Sequence, residues 1–184
     1  LDMEQYLETF AEALRSNGFI ERDSFYEISK RWIHSILYTT RPDEVISLFS
    51  DTTEMRNAHE ALFNSEKMLR NIFDNVQVGV ELYDKEGYLV DINTKDLDIF
   101  GIEAKEDVLG VNFFENPIVP GEIARNVRNG LEQSFRLDYP FDRLGGYYPS
   151  RKKGSVQIYT KVTMLYGMSG ELVNFCLLYT SDAA

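Results

Sequence analysis

The stretch V-G-V-E-L-Y-D-K-E-G-Y-L-V-D-I-N, residues 78–93, holds two short apolar runs on either side of a turn. Val78, Val80 and Leu82 alternate with Gln77, Gly79 and Glu81, the period of a strand with one buried face, which predicts Val80 and Leu82 on the core side. Asp84-Lys85-Glu86-Gly87 closes a tight hairpin in which Gly87 supplies a positive φ, and the return strand runs from Tyr88 to Ile92. Asn93 is a good helix N-cap. The helix it starts, Thr94 to Phe100, turns Leu97 and Phe100 toward the sheet and ends at Gly101.

Beyond this hairpin and helix, residues 104–115 read as short irregular helices. A further helix starts at Pro120, carries Ile123 and Val127 on one face, and stops at Gly130. Three strands follow, over 135–141, 156–165 and 172–178. The middle one alternates cleanly, with Val156, Ile158, Val162 and Met164 on one side and Gln157, Lys161 and Thr163 on the other. Between the first two of these strands, Gly145-Gly146 beside Tyr147-Tyr148 reads as a flexible connection and Arg151-Lys152-Lys153-Gly154 as a hairpin turn. The resulting order, β-β-α-α-α-β-β-β, is that of an α+β domain.

Upstream of residue 78 the pattern is different. Met3, Tyr6, Leu7, Phe10, Ala13 and Leu14 recur at helical spacing up to a stop at Asn17-Gly18. Phe25 to Ile28, Trp32 to Tyr38 and Val45 to Phe49 read as three antiparallel strands, broken by Ser29-Lys30 and by Arg41-Pro42-Asp43. One helix and three strands do not bury both faces of a sheet, so this segment reads as part of a domain. From Thr52 to Phe73, Met55, Ala58, Leu62, Ser65, Leu69 and Ile72 alternate three and four apart as the seam of a coiled coil. Asp51 is placed to cap that helix, with Glu54 three residues on in the capping-box position. The seam is short and partly polar, and alone it would associate weakly.

In this order and spacing, D-K-E-G followed by Y-L-V-D-I-N, the I-F-G-I that ends the first helix, and E-D-V-L-G-V-N resemble the PAS family over roughly residues 71–175. The resemblance implies a five-stranded antiparallel sheet with short helices on one face. F-Y-E-I-S-K-R-W-I-H-S and V-I-S-L-F-S-D-T-T-E-M-R-N-A are similar to the end of a second such domain. There the family often has D-I-T-E, and Asp51-Thr52-Thr53-Glu54 differs only by Thr52. The chain is thereby divided into the C-terminal part of an upstream PAS domain (1–51), a linker helix (52–73) and a PAS domain (74–178).

Such an arrangement looks like the tandem modules of bacterial sensor histidine kinases. It implies a non-catalytic, cytoplasmic sensing and relay module, dimeric through the linker helix, with Asp51, Thr53 and Glu54 coupling sheet to helix. The alternatives are a ligand-free dimerisation spacer, or a PAS module of a cyclic-dinucleotide enzyme or transcription regulator. The pocket expected between sheet and helices is lined by Val80, Leu82, Leu97, Phe100, Phe113, Ile123, Val127 and Ile158. It either holds a small-molecule ligand or is filled by its own aromatic side chains.

The residues also exclude chemistry. Light-sensing flavin relatives carry a reactive Cys in G-x-N-C-R-F, whereas Gly110-Val111-Asn112-Phe113-Phe114 puts Phe113 at that position, so a thiol adduct is not expected. No histidine follows His59, which removes the axial ligand of ordinary haem. His59 lies in A-H-E-A-L rather than the H-E-x-R-T-P of a kinase phosphoacceptor and reads as a polar helix position. His34 reads as a sheet residue. No phosphate-binding glycine loop, H-E-x-x-H motif or nucleophile elbow is present, and no metal site is expected.

Composition agrees with a folded, soluble module: 43% of the 184 residues are hydrophobic and 27% charged. A net charge of -11 repels phosphate backbones and anionic lipid, so neither nucleic acid nor membrane is an expected partner. No apolar run approaches the ~18 residues of a membrane span. One cysteine, Cys176, rules out an internal disulfide framework and fits a reducing compartment. The start at Leu1 suggests a piece of a longer protein, whose parent can carry a membrane anchor of its own. At the other end, the position equivalent to the Asp51 motif is Tyr179, and C-L-L-Y-T-S-D-A-A resembles the translation of a transposon end used in sequencing libraries. Residues 176–184 are therefore expected to be wholly or partly foreign.

Overall fold

A computed structural model describes residues 3–16, 19–41 and 44–181. It divides into two compact units, Leu1–Met68 and Leu69–Ala184.

The first unit contains α1 (Met3–Ser16), β1 (Phe19–Tyr26), β2 (Arg31–Arg41), β3 (Glu44–Asp51) and the beginning of α2 (Thr53–Asn75). The strands form an antiparallel meander in the order β1-β2-β3. One sheet face is covered by α1: Thr9 and Ala13 of the helix are buried, as are Ser24, Tyr26, Ser35 and Leu37 of the sheet. Polar links hold helix to sheet. The Thr39 hydroxyl donates to the Ala13 carbonyl at 2.9 Å, and Arg22 pairs with Glu12 at 2.8 Å. Tyr38, Ile46 and Leu48, on the opposite face by register, are exposed. The first strand lies earlier than expected, because the charged pair R-D in its centre hides a strand in which Arg22 turns toward α1 and Asp23 toward the other face. Ile28 falls instead in the turn after β1 and is 82% exposed. The expected stops at Asn17-Gly18 and Pro42-Asp43 lie outside the described residues.

The second unit contains the end of α2, β4 (Gly79–Asp84), β5 (Leu89–Ile92), α3 (Thr94–Phe100), α4 (Gly121–Arg128), β6 (Gln133–Pro140), β7 (Ser155–Tyr166) and β8 (Leu172–Ser181). Single turns of 3-10 helix occur at Lys105–Asp107, Phe113–Glu115 and Phe141–Arg143. All strands pair antiparallel in the order β5-β4-β8-β7-β6, so the last strand of the sequence enters the middle of the sheet. α3 forms as its caps predict: Asn93 Oδ1 accepts the Asp96 N–H at 2.9 Å, and Gly101 takes the left-handed conformation with φ 67°. The core is strongly aromatic. Phe113 and Phe175 are nearly inaccessible, Tyr83 stacks on Phe175 at 5.2 Å, and Phe100 meets Tyr139 and Tyr179 edge-on at 5.0 Å.

Two expectations are corrected. In β4 the buried positions are Gly79, Glu81 and Tyr83, while Val80 and Leu82 are half-buried on the opposite sheet face, paired with Leu178 and Cys176. A strand's side chains alternate with period two, so choosing the apolar set as the inner one inverted the strand. The inner set wins because its polar members find partners and because Gly79 lets α3 approach: a Cβ there would lie 2.5 Å from Asp96 Oδ1. The second correction concerns residues 141–154, which are not a loose connection ending in a simple hairpin. The Ser150 hydroxyl donates to the Phe100 carbonyl at 2.6 Å, and the Arg151 N–H to the Gly101 carbonyl at 2.8 Å. The segment is thereby fastened to the end of α3.

Residues 176–181 form the second half of β8, with Leu177 and Tyr179 buried in the core, and residues 182–184 lie outside the described residues. No helix among the described residues is long and apolar enough to cross a membrane.

Candidate functional site

Alternation along β4 sends Glu81 and Tyr83 under the helices, and the register with β8 brings Tyr179 beside them. Both tyrosine hydroxyls donate to Glu81 Oε2, Tyr83 at 2.9 Å and Tyr179 at 2.7 Å. Tyr139 of β6 and Tyr147 and Tyr148 of the fastened segment complete a ring. The Tyr148 hydroxyl donates to that of Tyr139 at 3.1 Å, and the Tyr147 hydroxyl to the Asn112 carbonyl at 2.7 Å. With Asn116 and the apolar side chains of Leu89, Phe100, Ile102, Val108 and Val111 they line a cavity of about 10 Å³, room for one water molecule. The wider depressions, such as that beside Arg136, Asp138 and Tyr159, are open surface without a buried polar group of this kind.

Burial pushes the Glu81 carboxyl up to about 7, against the pull of the two hydroxyls that donate to it. Asp96, fully enclosed in the first turn of α3, is raised well above the usual carboxylate range by burial and then by the Glu81 charge. Neither Asp96 oxygen accepts a hydrogen bond among the described residues. Beside it Asn93, also fully buried, accepts from the Val80 and Asp96 N–H groups and donates to the carbonyls of Phe73 and Val78. One amide thus joins the end of α2, β4 and α3.

Of the residues expected to line the pocket, only Phe100 borders this cavity. Phe113, Val127 and Ile158 are buried in the same core, with Leu97 and Ile123 half-buried against it. Val80 and Leu82 are on the other face of the sheet. Sequence reading missed Glu81, Asp96 and the five tyrosines. Glu81 and Tyr83 stand at the alternate positions of β4 and look like its solvent side, and Asp96 looks like an ordinary first-turn acid. Tyr179 lies within the residues expected to be foreign.

The second polar centre is the start of α2. Asp51, last residue of β3, accepts the Thr53 N–H on Oδ1 at 3.0 Å and pairs with Arg31 through Oδ2 at 2.8 Å. The hydrogen bonds from Thr53, with the Arg31 charge, lower its pKa. Thr52 rather than Asp51 is the backbone cap, since its carbonyl accepts the Arg56 N–H. Thr52 N–H donates to the Trp32 carbonyl, and Trp32 N–H to the Thr53 hydroxyl, each at 2.9 Å. Glu54 lies in the first helical turn, and no bond back to Asp51 closes a capping box among the described residues. His59 is exposed on α2, and His34 is half-buried in β2, within 2.9 Å of Asp23. Among the described residues no three His, Cys, Asp or Glu side chains converge as metal ligands.

Solved structures resemble this architecture. The PAS domain of an HTR-like protein from Haloarcula marismortui aligns with a TM-score of 0.53 at 14% identity, covering 69% of this chain and 99% of that one. The PAS domain of a protein from Colwellia psychrerythraea gives 0.48 at 17% identity, covering 63% and 95%. That of BvgS from Bordetella pertussis gives 0.44 at 19% identity, covering 66% and 88%. No protein-family model and no curated protein matches the chain. The first of these likenesses, with the strand order β5-β4-β8-β7-β6, shows that the five-stranded unit has the PAS fold.

Proposed function

We propose that this chain, in which a PAS fold follows a long amphipathic helix, is a non-catalytic sensing and relay module of a larger bacterial signalling protein, acting as a dimer through α2. One observation carries the reading: Met55, Leu62, Leu69 and Ile72 form a heptad seam on α2, each more than half exposed, and no residue of that helix is buried. A helix whose apolar stripe stays exposed among the described residues is suited to a parallel copy of itself. Asp51 and Thr53 bind the helix start to the β2–β3 edge, so a change in that sheet is transmitted to the helix. Support for a histidine-kinase output comes from the resemblance of Asp51-Thr52-Thr53-Glu54 and the following heptads to tandem PAS linkers. The negative charge and the single cysteine fit a cytoplasmic location.

Light-scattering mass measurement tests the dimer. The chain is expected to weigh about twice its 21.3 kDa at high concentration, and Leu62→Glu with Leu69→Glu to restore the monomer. A monomer at all concentrations overturns the relay reading. Incubation with ATP is expected to leave the chain unphosphorylated.

The ligand-free spacer is a second reading, favoured by the small size of the cavity. Thermal unfolding with metabolite panels separates the two, because a compound that binds the native state raises the melting temperature.

A further inference from the structure

Two carboxyl groups, those of Glu81 and Asp96, lie inside the five-stranded unit, and among the described residues no lysine, arginine or histidine lines the cavity that Glu81 borders. Among the described residues Asp96 has no hydrogen-bond partner on either oxygen, and a charge on it would raise the hydroxyls of Tyr83, Tyr139, Tyr148 and Tyr179, four of the five tyrosines around the cavity. Gly79 keeps space for that carboxyl. A buried carboxylate without a counter-charge is costly, so the pair needs something positive, a proton or a bound cation. A proton alone needs neither a cavity nor a ring of aromatic faces. Here Glu81 borders a water-sized space with apolar side chains such as Leu89 and Val108 on part of its wall and five tyrosines, whose π faces and hydroxyl oxygens are electron-rich, on another part.

We propose that this cavity binds a small ammonium cation, ammonium itself or the head of a primary amine, with Glu81 as counter-charge and Tyr139, Tyr148 and Tyr179 as its cage. The proposal rests on the sensing reading above and names the class of ligand sensed. In the empty site the Glu81 carboxyl holds a proton over part of the neutral range. When the cation enters, that O–H bond breaks, the proton leaves to the buffer, and an ammonium N–H donates to the freed oxygen. The cavity admits a nitrogen that carries three N–H groups, and a quaternary head such as tetramethylammonium is too large for it. Entry requires residues 141–154 to lift, which breaks the bonds of Tyr147 to Asn112 and of Ser150 to Phe100.

Titration calorimetry of the full chain with ammonium chloride and methylammonium chloride, at pH 6.5 in two buffers of different ionisation heat, tests this. Sodium chloride and tetramethylammonium chloride serve as controls for salt and size. The expected result is saturable binding of the two small cations alone, with up to one proton released per cation and affinity rising as pH rises toward 7. Glu81→Gln and Tyr148→Leu are each expected to weaken binding at least tenfold. The proton count on the unaltered chain decides the matter if a variant fails to fold. Heats equal to those of sodium chloride overturn the proposal, as does binding of tetramethylammonium alone. If a neutral metabolite then raises the melting temperature in a Tyr148-dependent way, sensing stands with another ligand. If no compound does, both readings fall.

Discussion

Glu81 shows how one side chain ties stability to pH. Its folded-state pKa, about 7, lies above the usual glutamate value of 4.5, so the folded chain holds this proton more tightly than the unfolded one. The contribution is therefore fully present below about pH 4.5 and is lost as pH rises through about 7, a difference of about 3 kcal/mol for a shift of this size. Urea midpoints of the five-stranded unit are expected to fall between pH 5 and pH 8, and Glu81→Gln to flatten that decline. An unchanged slope in the variant would mean that the carboxyl is ionised throughout. Asn93 works differently, because it is uncharged and all its bonds are buried. Asn93→Ala leaves the N–H of Val80 and Asp96 and the carbonyls of Phe73 and Val78 without their amide, at a cost of about 3 kcal/mol. Chemical denaturation would register this as a lower midpoint with an unchanged m-value.

At the level of elements, the junction of β3 and α2 depends on a carboxylate at the sheet edge. The Asp51 pKa is lowered, so its hold on the Thr53 N–H is present above about pH 3.8 and lost as pH falls below that. Hydrogen exchange of the first turn of α2 is expected to speed up in Asp51→Ala at pH 7, and in the unaltered chain only on acidification. Protection equal in both forms would show that the Trp32 bonds to Thr52 and Thr53 hold the helix start alone. Local signals of this sort were the legible part of the sequence. Asn93 and Gly101 bound α3, Gly87 makes the β4–β5 turn with φ 93°, and the alternation of Val156 to Met164 gives the inner face of β7. What stayed hidden depends on partners distant in sequence. Glu81 is buried because a hydroxyl 98 residues away reaches it, and no pattern within V-G-V-E-L-Y announces Tyr179. The inverted face of β4 has the same origin: hydrophobicity alone favours Val80 and Leu82, whereas packing against α3 favours the side with Gly79. In residues 141–154, glycines and lysines suggested slack, and the bonds to Phe100 and Gly101 that remove it lie some fifty residues upstream.

Over the whole molecule, the order of synthesis and the order of the sheet run against each other. β8 comes last in the chain yet lies between β4 and β7, pairing Val80 with Leu178 on one side and Val162 with Leu177 on the other. Until it is in place, β5-β4 and β7-β6 are two hairpins with no shared core, and a two-stranded hairpin is marginal in water. Folding of this unit must therefore wait for contacts of long sequence separation, which are slow to form. Residues 176–181 carry half of that strand, including Leu177 and Tyr179, which bury their side chains and supply one of the two hydroxyls on Glu81. A chain ended after Phe175 is expected to lose the near-ultraviolet circular dichroism of the aromatic core and its cooperative unfolding transition. Restoring the six residues with Leu177 and Tyr179 unchanged, but with Cys176, Leu178 and Thr180 replaced by valine or threonine, is expected to recover both. A truncated chain that still unfolds cooperatively would mean that β4 and β7 close the sheet without their central neighbour.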